Sequence, residues 1–141
     1  MNWLREYANE KLNNIENIEY EIKGRVLKES ILKFYKENKV DIVVNSSDAE
    51  GIPVSLIEAM AYCIPVIARN VGGNNELVDN ECGLLLPSNI TAEELFHAIE
   101  YILDMDNDKY IEMCSMARKK VERQYNTVTN TNMFFNYIFE G

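Results

Sequence analysis

The chain alternates short apolar runs with longer stretches in which apolar residues recur every three or four positions. The recurring pattern is that of a helix with one buried side, and the short β-branched runs are those of strands buried on both faces. Residues 2–12 carry Trp3, Leu4, Tyr7, Ala8 and Leu12 at helical spacing, and residues 18–22 alternate as a strand ending near Gly24. Residues 29–38 predict a helix with Ile31, Leu32, Phe34 and Tyr35 inward. Residues 41–45 (Asp-Ile-Val-Val-Asn) predict a buried parallel strand. Residues 53–62 predict an almost wholly apolar helix, which Pro53 can open because the first helical amide has no intrahelical partner. Residues 65–68 predict a second buried strand, and residues 74–78 a short helix after the Gly72-Gly73 turn. Residues 83–86 predict a third strand, stopped by Pro87. Thr91 followed by Glu94 is a capping-box pattern that opens a helix to about Leu103. Two more helices are predicted over residues 108–124 and 129–139, the last rich in aromatics.

This β-α-β-α order predicts an α/β, Rossmann-like three-layer fold: a mostly parallel sheet with helices on both faces. Ligands of such sheets bind beyond the carboxyl ends of the strands, which puts residues 46–50 at the binding rim. A chain of 141 residues is expected to form one domain, and it can bury roughly 70% of its unfolded surface.

Composition narrows the function. The content of 47% hydrophobic and 26% charged residues is that of an ordinary soluble protein. The net charge of −9 argues against a nucleic-acid partner and against direct binding to a strongly anionic membrane. Cys63, Cys82 and Cys114 are widely spaced with no CxxC pair, which argues against a disulfide scaffold or structural zinc. A reducing cytoplasm fits this cysteine usage. No apolar run approaches the ~20 residues of a transmembrane helix, and residues 1–7 lack a signal-peptide plan.

Two glutamates carry the candidate chemistry. On the helix of residues 53–63 only Ser55, Glu58 and Tyr62 form a polar side. Glu58 reads either as part of a solvent stripe or as an acceptor for two neighbouring hydroxyls, since a carboxylate offers two oxygens. Glu50 reads either as an acid near a helix N-terminus or as an acceptor for sugar hydroxyls. The amides near Val54 and Ser55 suit a phosphate, and Gly51 permits close approach of a ligand to the backbone. Sugar acceptor, anion site and diol acceptor, in that order, describe a nucleotide diphosphate sugar.

The wider run contains S-x-x-E-G-x-P (Ser47 to Pro53), E-A-M-A (Glu58 to Ala61), P-V-I-A (Pro65 to Ala68), G-G-x-x-E (Gly72 to Glu76) and G-L-L from Gly83. It resembles the C-terminal, donor-binding domain of the retaining glycosyltransferases of group 1 / family 4, whose GT-B fold has two facing Rossmann-like domains. The resemblance is specific over residues 40–86, and the helices of residues 91–139 fit the family's C-terminal helices in less detail. It implies that the chain is one partial domain, about half of a GT-B C-terminal domain plus the terminal helices. It further implies that Glu50 contacts the transferred sugar and is the catalytic candidate, and that Glu58 holds the ribose. Amides around Gly51, Ile52, Val54 and Ser55 would meet the sugar and diphosphate, and the backbone at Arg25 and Val26 the base. It implies no metal and no cofactor beyond the nucleotide diphosphate sugar as donor substrate. The implied partner is an acceptor-binding N-terminal domain, in cis or in trans. The implied site of action is cytoplasmic, with membrane-peripheral placement of the complete enzyme as a variant, and polysaccharide biosynthesis is the matching process.

Two departures from the pattern matter. Cys63 stands where the family usually has glycine at a helix end, so a left-handed backbone there would bear ~1–2 kcal/mol of strain. The acceptor-binding domain and the basic residues that usually meet the diphosphate have no counterpart in the 141 residues, and nothing places Lys28, Lys33 or Arg69 as substitutes. The alternative reading is therefore a non-catalytic nucleotide-sugar-binding module, a subunit of a split enzyme, or a remnant inactive alone. His97, Glu76 and residues 118–123 read as helix-surface positions, and the aromatic residues 133–139 as a core-packing helix or a cover for an interface.

Overall fold

A computed structural model gives the architecture, and it describes residues 21 and 23–139. The helix expected over residues 2–12 and nearly all of the strand expected over 18–22 lie outside the described residues. The chain divides into two compact units, Met1–Lys33 and Phe34–Gly141. In the first, Gly24 takes a left-handed φ of 70° and the Leu27 carbonyl accepts from the Ser30 and Ile31 amides, opening helix α1 (Lys28–Glu37), whose residues from Phe34 on are counted with the second unit.

The second unit is an α/β layer structure. Its strands are β1 (Val43–Asn45), β2 (Val66–Arg69) and β3 (Gly83–Leu86), all parallel in the order β1-β2-β3. Val43 pairs with Val66, and Val66 with Gly83. Helix α2 (Val54–Ala61) connects β1 to β2, and the one-turn α3 (Asn74–Leu77) connects β2 to β3. Helices α4 (Ala92–Leu103), α5 (Asn107–Gln124) and α6 (Thr127–Phe139) follow. The parallel sheet with helices on both faces is the fold that the residue pattern predicts.

Strand β2 explains the two cores. It is central and buried from Val66 to Ala68, and its side chains point alternately to opposite faces. Val66 and Ala68 join Leu56, Ala59 and Met60 of α2, Leu77 of α3, and Ala117 and Val121 of α5. Ile67 faces the other way and meets Ala98 and Ile102 of α4 and Met113 of α5. Helix α5 thus contributes to both cores. Its Tyr110 hydroxyl donates to the Asp41 carbonyl at 3.0 Å, just before β1.

The helix ends follow local chemistry. Thr91 and Glu94 form the expected capping box, with Oγ1 of Thr91 accepting at 3.2 Å and the Glu94 carboxylate accepting at 2.7 Å. Helices α5 and α6 begin slightly earlier than the periodicity predicts, because Asp106 and Asn126 accept from the first-turn amides. Pro53 caps α2 instead of opening it, its carbonyl accepting from Leu56 and Ile57. Helix α2 ends in a Schellman turn: the Ile64 amide donates to Ala59 and the Cys63 amide to Met60. Cys63 lies at φ 60°, the left-handed conformation its place in the pattern predicts.

Candidate functional site

The candidate residues of the second unit gather where β1 meets α2. Asn45 is the last residue of β1, and its side chain turns to the loop that follows. Its Nδ2 donates to Glu50 Oε1 at 3.1 Å, while its Oδ1 accepts from the Ser47 amide at 2.9 Å. One amide side chain therefore both shapes the turn and aims Glu50. Hydrogen bonds from the Ser47 and Asn45 side chains hold the Glu50 carboxyl below its ordinary range. Glu50 is thus ionised at neutral pH and presents an acceptor.

The Glu50–Gly51 backbone rests on the Gly72-Gly73 turn. The Gly73 amide donates to the Gly51 carbonyl at 3.0 Å. Gly72 has φ 53°, and a Cβ built on it would lie 1.7 Å from the Glu50 carbonyl oxygen. The close approach that the glycine pair permits is therefore one of chain to chain. Gly51 itself has no heavy atom within 4 Å of a built Cβ, so its open side faces space that a ligand can enter.

Arg69 ties the rim together. It ends β2, and its guanidinium donates to the Ser46 carbonyl at 3.2 Å and to the Asp48 carboxylate on one side. On the other side its Nε donates to the Ser88 carbonyl at 2.9 Å. Its side chain is only 18% exposed, whereas that of Asp48 is 92% exposed, so the carbonyl contacts anchor it more than the ion pair does.

Helix α2 carries the remaining candidates. Ile52, Val54 and Ser55 are exposed at its start, and no side chain caps that end. An eight-residue helix that opens onto free space offers its first amides to an anion. Glu58 is half-buried with its Oε1 atom buried, so it is more enclosed than a solvent stripe implies. Burial, and then the charge of Glu58, raises the pKa of Tyr35, whose ring meets that of Tyr62 at 5.9 Å.

Arg25 is exposed and Val26 half-buried; both belong to the first unit. His97 lies on the exposed side of α4 between Glu93 and Glu100, with Nδ1 at 3.1 Å from the Glu100 carboxylate. Glu76 is exposed on α3. Among the described residues no group of three or more His, Cys, Asp or Glu side chains could hold a metal ion. Asn45 and Arg69, which shape the site most, are not marked by the sequence pattern. Their only signal is that each ends a strand with a polar residue.

Comparison with known proteins agrees with this geometry. WcaL of Escherichia coli (strain K12), a glycosyltransferase assigned by name to colanic acid biosynthesis, is 40% identical over 80 residues, covering 56% of this chain and 20% of WcaL. The O-antigen biosynthesis glycosyltransferase WbnH of Escherichia coli is 33% identical over 87 residues, covering 62% of this chain and 25% of WbnH. The chain thus spans about a fifth to a quarter of the length of these relatives. Sucrose-phosphate synthase from Thermosynechococcus elongatus superposes with a TM-score of 0.74 at 26% identity, over 96% of this chain and 34% of that one. The C-terminal domain of a glycosyl transferase group 1 family protein (LpcC) from Francisella tularensis does so with a TM-score of 0.63 at 25% identity, over 75% of this chain and 53% of that one. No described helix is long and apolar enough to cross a membrane. The family model for glycosyl transferases group 1 matches residues 5–123, and the chain belongs to that family.

Proposed function

We propose that this chain is the donor-binding part of a retaining glycosyltransferase that uses a nucleotide diphosphate sugar. The observation that carries the reading is the aimed, ionised Glu50 beside the uncapped start of α2, with Glu58 further along the same helix. In this reading Glu50 accepts from hydroxyls of the transferred sugar. The amides of Val54 and Ser55 meet the diphosphate, and the exposed backbone at Gly51 and Ile52 borders the sugar. Glu58 takes the paired ribose hydroxyls through its two oxygens. Negative charge on the departing diphosphate grows in the transition state, so amides fixed at the helix start stabilise it without reorganising. In this reading the nucleotide diphosphate sugar is the donor substrate, used without a metal or cofactor. Acceptor binding belongs to an N-terminal domain, in cis or in trans, and the match to the C-terminal domain of LpcC supports that division. The names of WcaL and WbnH support polysaccharide assembly as the process.

The test is Glu50→Ala in the enzyme that includes the acceptor-binding domain. Transfer falls while the protein stays folded; unchanged transfer would overturn the assignment. Titration calorimetry of the enzyme that includes the acceptor-binding domain, with UDP-, GDP- and ADP-sugars, identifies the base. We expect weak or undetectable binding and no hydrolysis from the chain alone, whereas turnover by it would show that residues 1–141 suffice for chemistry.

A further inference from the structure

Away from the sugar site, the end of α2 meets α5 around two thiols. Cys63 is exposed at the residue that closes the Schellman turn, and Cys114 is half-buried on α5. Both line one surface cavity of about 450 Å³, with Ile111, Ser115 and Arg118 among its other walls. Arg118 fixes the register of the two helices. It lies one turn beyond Cys114 on the same face of α5, and its guanidinium donates to the Ala61 carbonyl, two residues before Cys63. We propose that Cys63 and Cys114 form a thiol–disulfide exchange site, closing reversibly to an intramolecular disulfide that ties the end of α2 to α5.

The chemistry needs only a low-molecular-weight disulfide as oxidant. The exposed Cys63, as thiolate, attacks one sulfur of oxidised glutathione; a sulfur–sulfur bond forms as the glutathione bond breaks, and one glutathione thiolate leaves. Cys114, after losing its proton to water, attacks the Cys63 sulfur of this mixed disulfide. The second glutathione leaves as thiolate, and both departing thiolates take up protons. In sum, two protein thiols are oxidised to one disulfide and one glutathione disulfide is reduced to two thiols. Packed helices hold their axes about 8–10 Å apart with Cα atoms about 2.3 Å off each axis, so facing Cα atoms can come within the roughly 4.4–6.8 Å that a disulfide needs. Cys63 is exposed, so the bond stays within reach of a reducing thiol, as suits a reversible site rather than a structural staple. Cys82 is a control within the same chain: it is buried, its thiol donates to the Leu77 carbonyl, and burial pushes it up to about 11.

The test is incubation of the folded chain with oxidised glutathione, alkylation of remaining thiols, digestion and mass spectrometry. The expected product is a Cys63–Cys114 linked peptide lacking the two thiol hydrogens, with Cys82 alkylated. Its melting temperature exceeds that of the reduced chain by about 5 °C and returns with dithiothreitol. Cys114→Ser stops at a stable glutathione adduct on Cys63. The proposal is overturned if the unaltered chain also stops at that adduct, or if Cys63 instead links two chains.

Discussion

Replacing Gly72 by alanine separates two explanations of the Gly72-Gly73 pair, a ligand-facing gap and a backbone-to-backbone seat. At φ 53° an alanine bears a left-handed penalty of ~1–2 kcal/mol. Its Cβ would also lie 1.7 Å from the Glu50 carbonyl oxygen, far inside contact distance, and no flexible side chain is there to give way. The Glu50–Gly51 segment must retreat, and the Gly73 amide then loses its bond to Gly51, worth ~0.5–1.5 kcal/mol. Together these losses come to roughly 1.5–3.5 kcal/mol before any residual overlap. For a chain of this size that corresponds to a fall in melting temperature of about 5–14 °C. Urea unfolding followed by circular dichroism measures the free-energy loss directly. Gly24→Ala is the control: it shares a positive φ, 70°, but a Cβ there meets nothing within 4 Å, so only the conformational penalty applies. If Gly72→Ala costs no more than Gly24→Ala, the seat does not exist as described.

Other outcomes follow from single contacts. Gly51→Ala meets no atom within 4 Å and leaves stability nearly unchanged, yet it raises the donor KM of the complete enzyme; unaltered donor kinetics would remove Gly51 from the sugar site. Cys63→Gly relieves a left-handed cysteine and stabilises the reduced chain by about 0.5–1 kcal/mol, while Cys63→Ala, which keeps the Cβ, does not; equal melts for both would contradict the strain. Thr91→Ala removes a helix cap and costs about 1 kcal/mol in urea unfolding, with near-neutrality as the contrary result. Glu50 titrates below its ordinary value of 4.5, so its stabilising contribution is complete above that pH and disappears as the pH falls through the lower, folded-state value. Carboxyl NMR titration should show this low midpoint, and Asn45→Ala should move it upward; a midpoint indifferent to that change would separate Asn45 from Glu50.

Much of this molecule can be read from its residues because much of it is local. The β-branched run before Asn45 and the apolar run after Pro65 read as strands, and they are neighbours in the sheet; the second is buried as expected, whereas β1 lies at the edge of the three described strands and its Val44 is 38% exposed. Cys63 stands where the resemblance puts a helix-ending glycine, and it takes the left-handed backbone that such a glycine would have. What could not be read is set by contacts distant in sequence. Arg69 reaches residues 19 to 23 positions away, and no periodicity encodes that. Asn45 reads as the tail of a strand until the turn at Ser47 folds Glu50 back onto it. Gly72 reads only as part of a turn, because its neighbour, the Glu50 carbonyl, becomes visible only once the sheet brings the two loops together. The starts of α5 and α6 moved for a humbler reason: Asp106 and Asn126 lie just outside the apolar period but supply the capping oxygens.

The position of Arg69 has a mechanical consequence. Neighbouring strands are linked along their length by ladder bonds, but the loops leaving their ends are ordinarily free to bend one at a time. Here a side chain from the middle strand grips the loop after β1 and the loop after β3 together. A molecule pressing on residues 46–50 therefore pushes against Ser88 as well, across the width of the sheet. The rim behaves as a braced edge instead of three separate fingers, and its stiffness is concentrated in one planar cation.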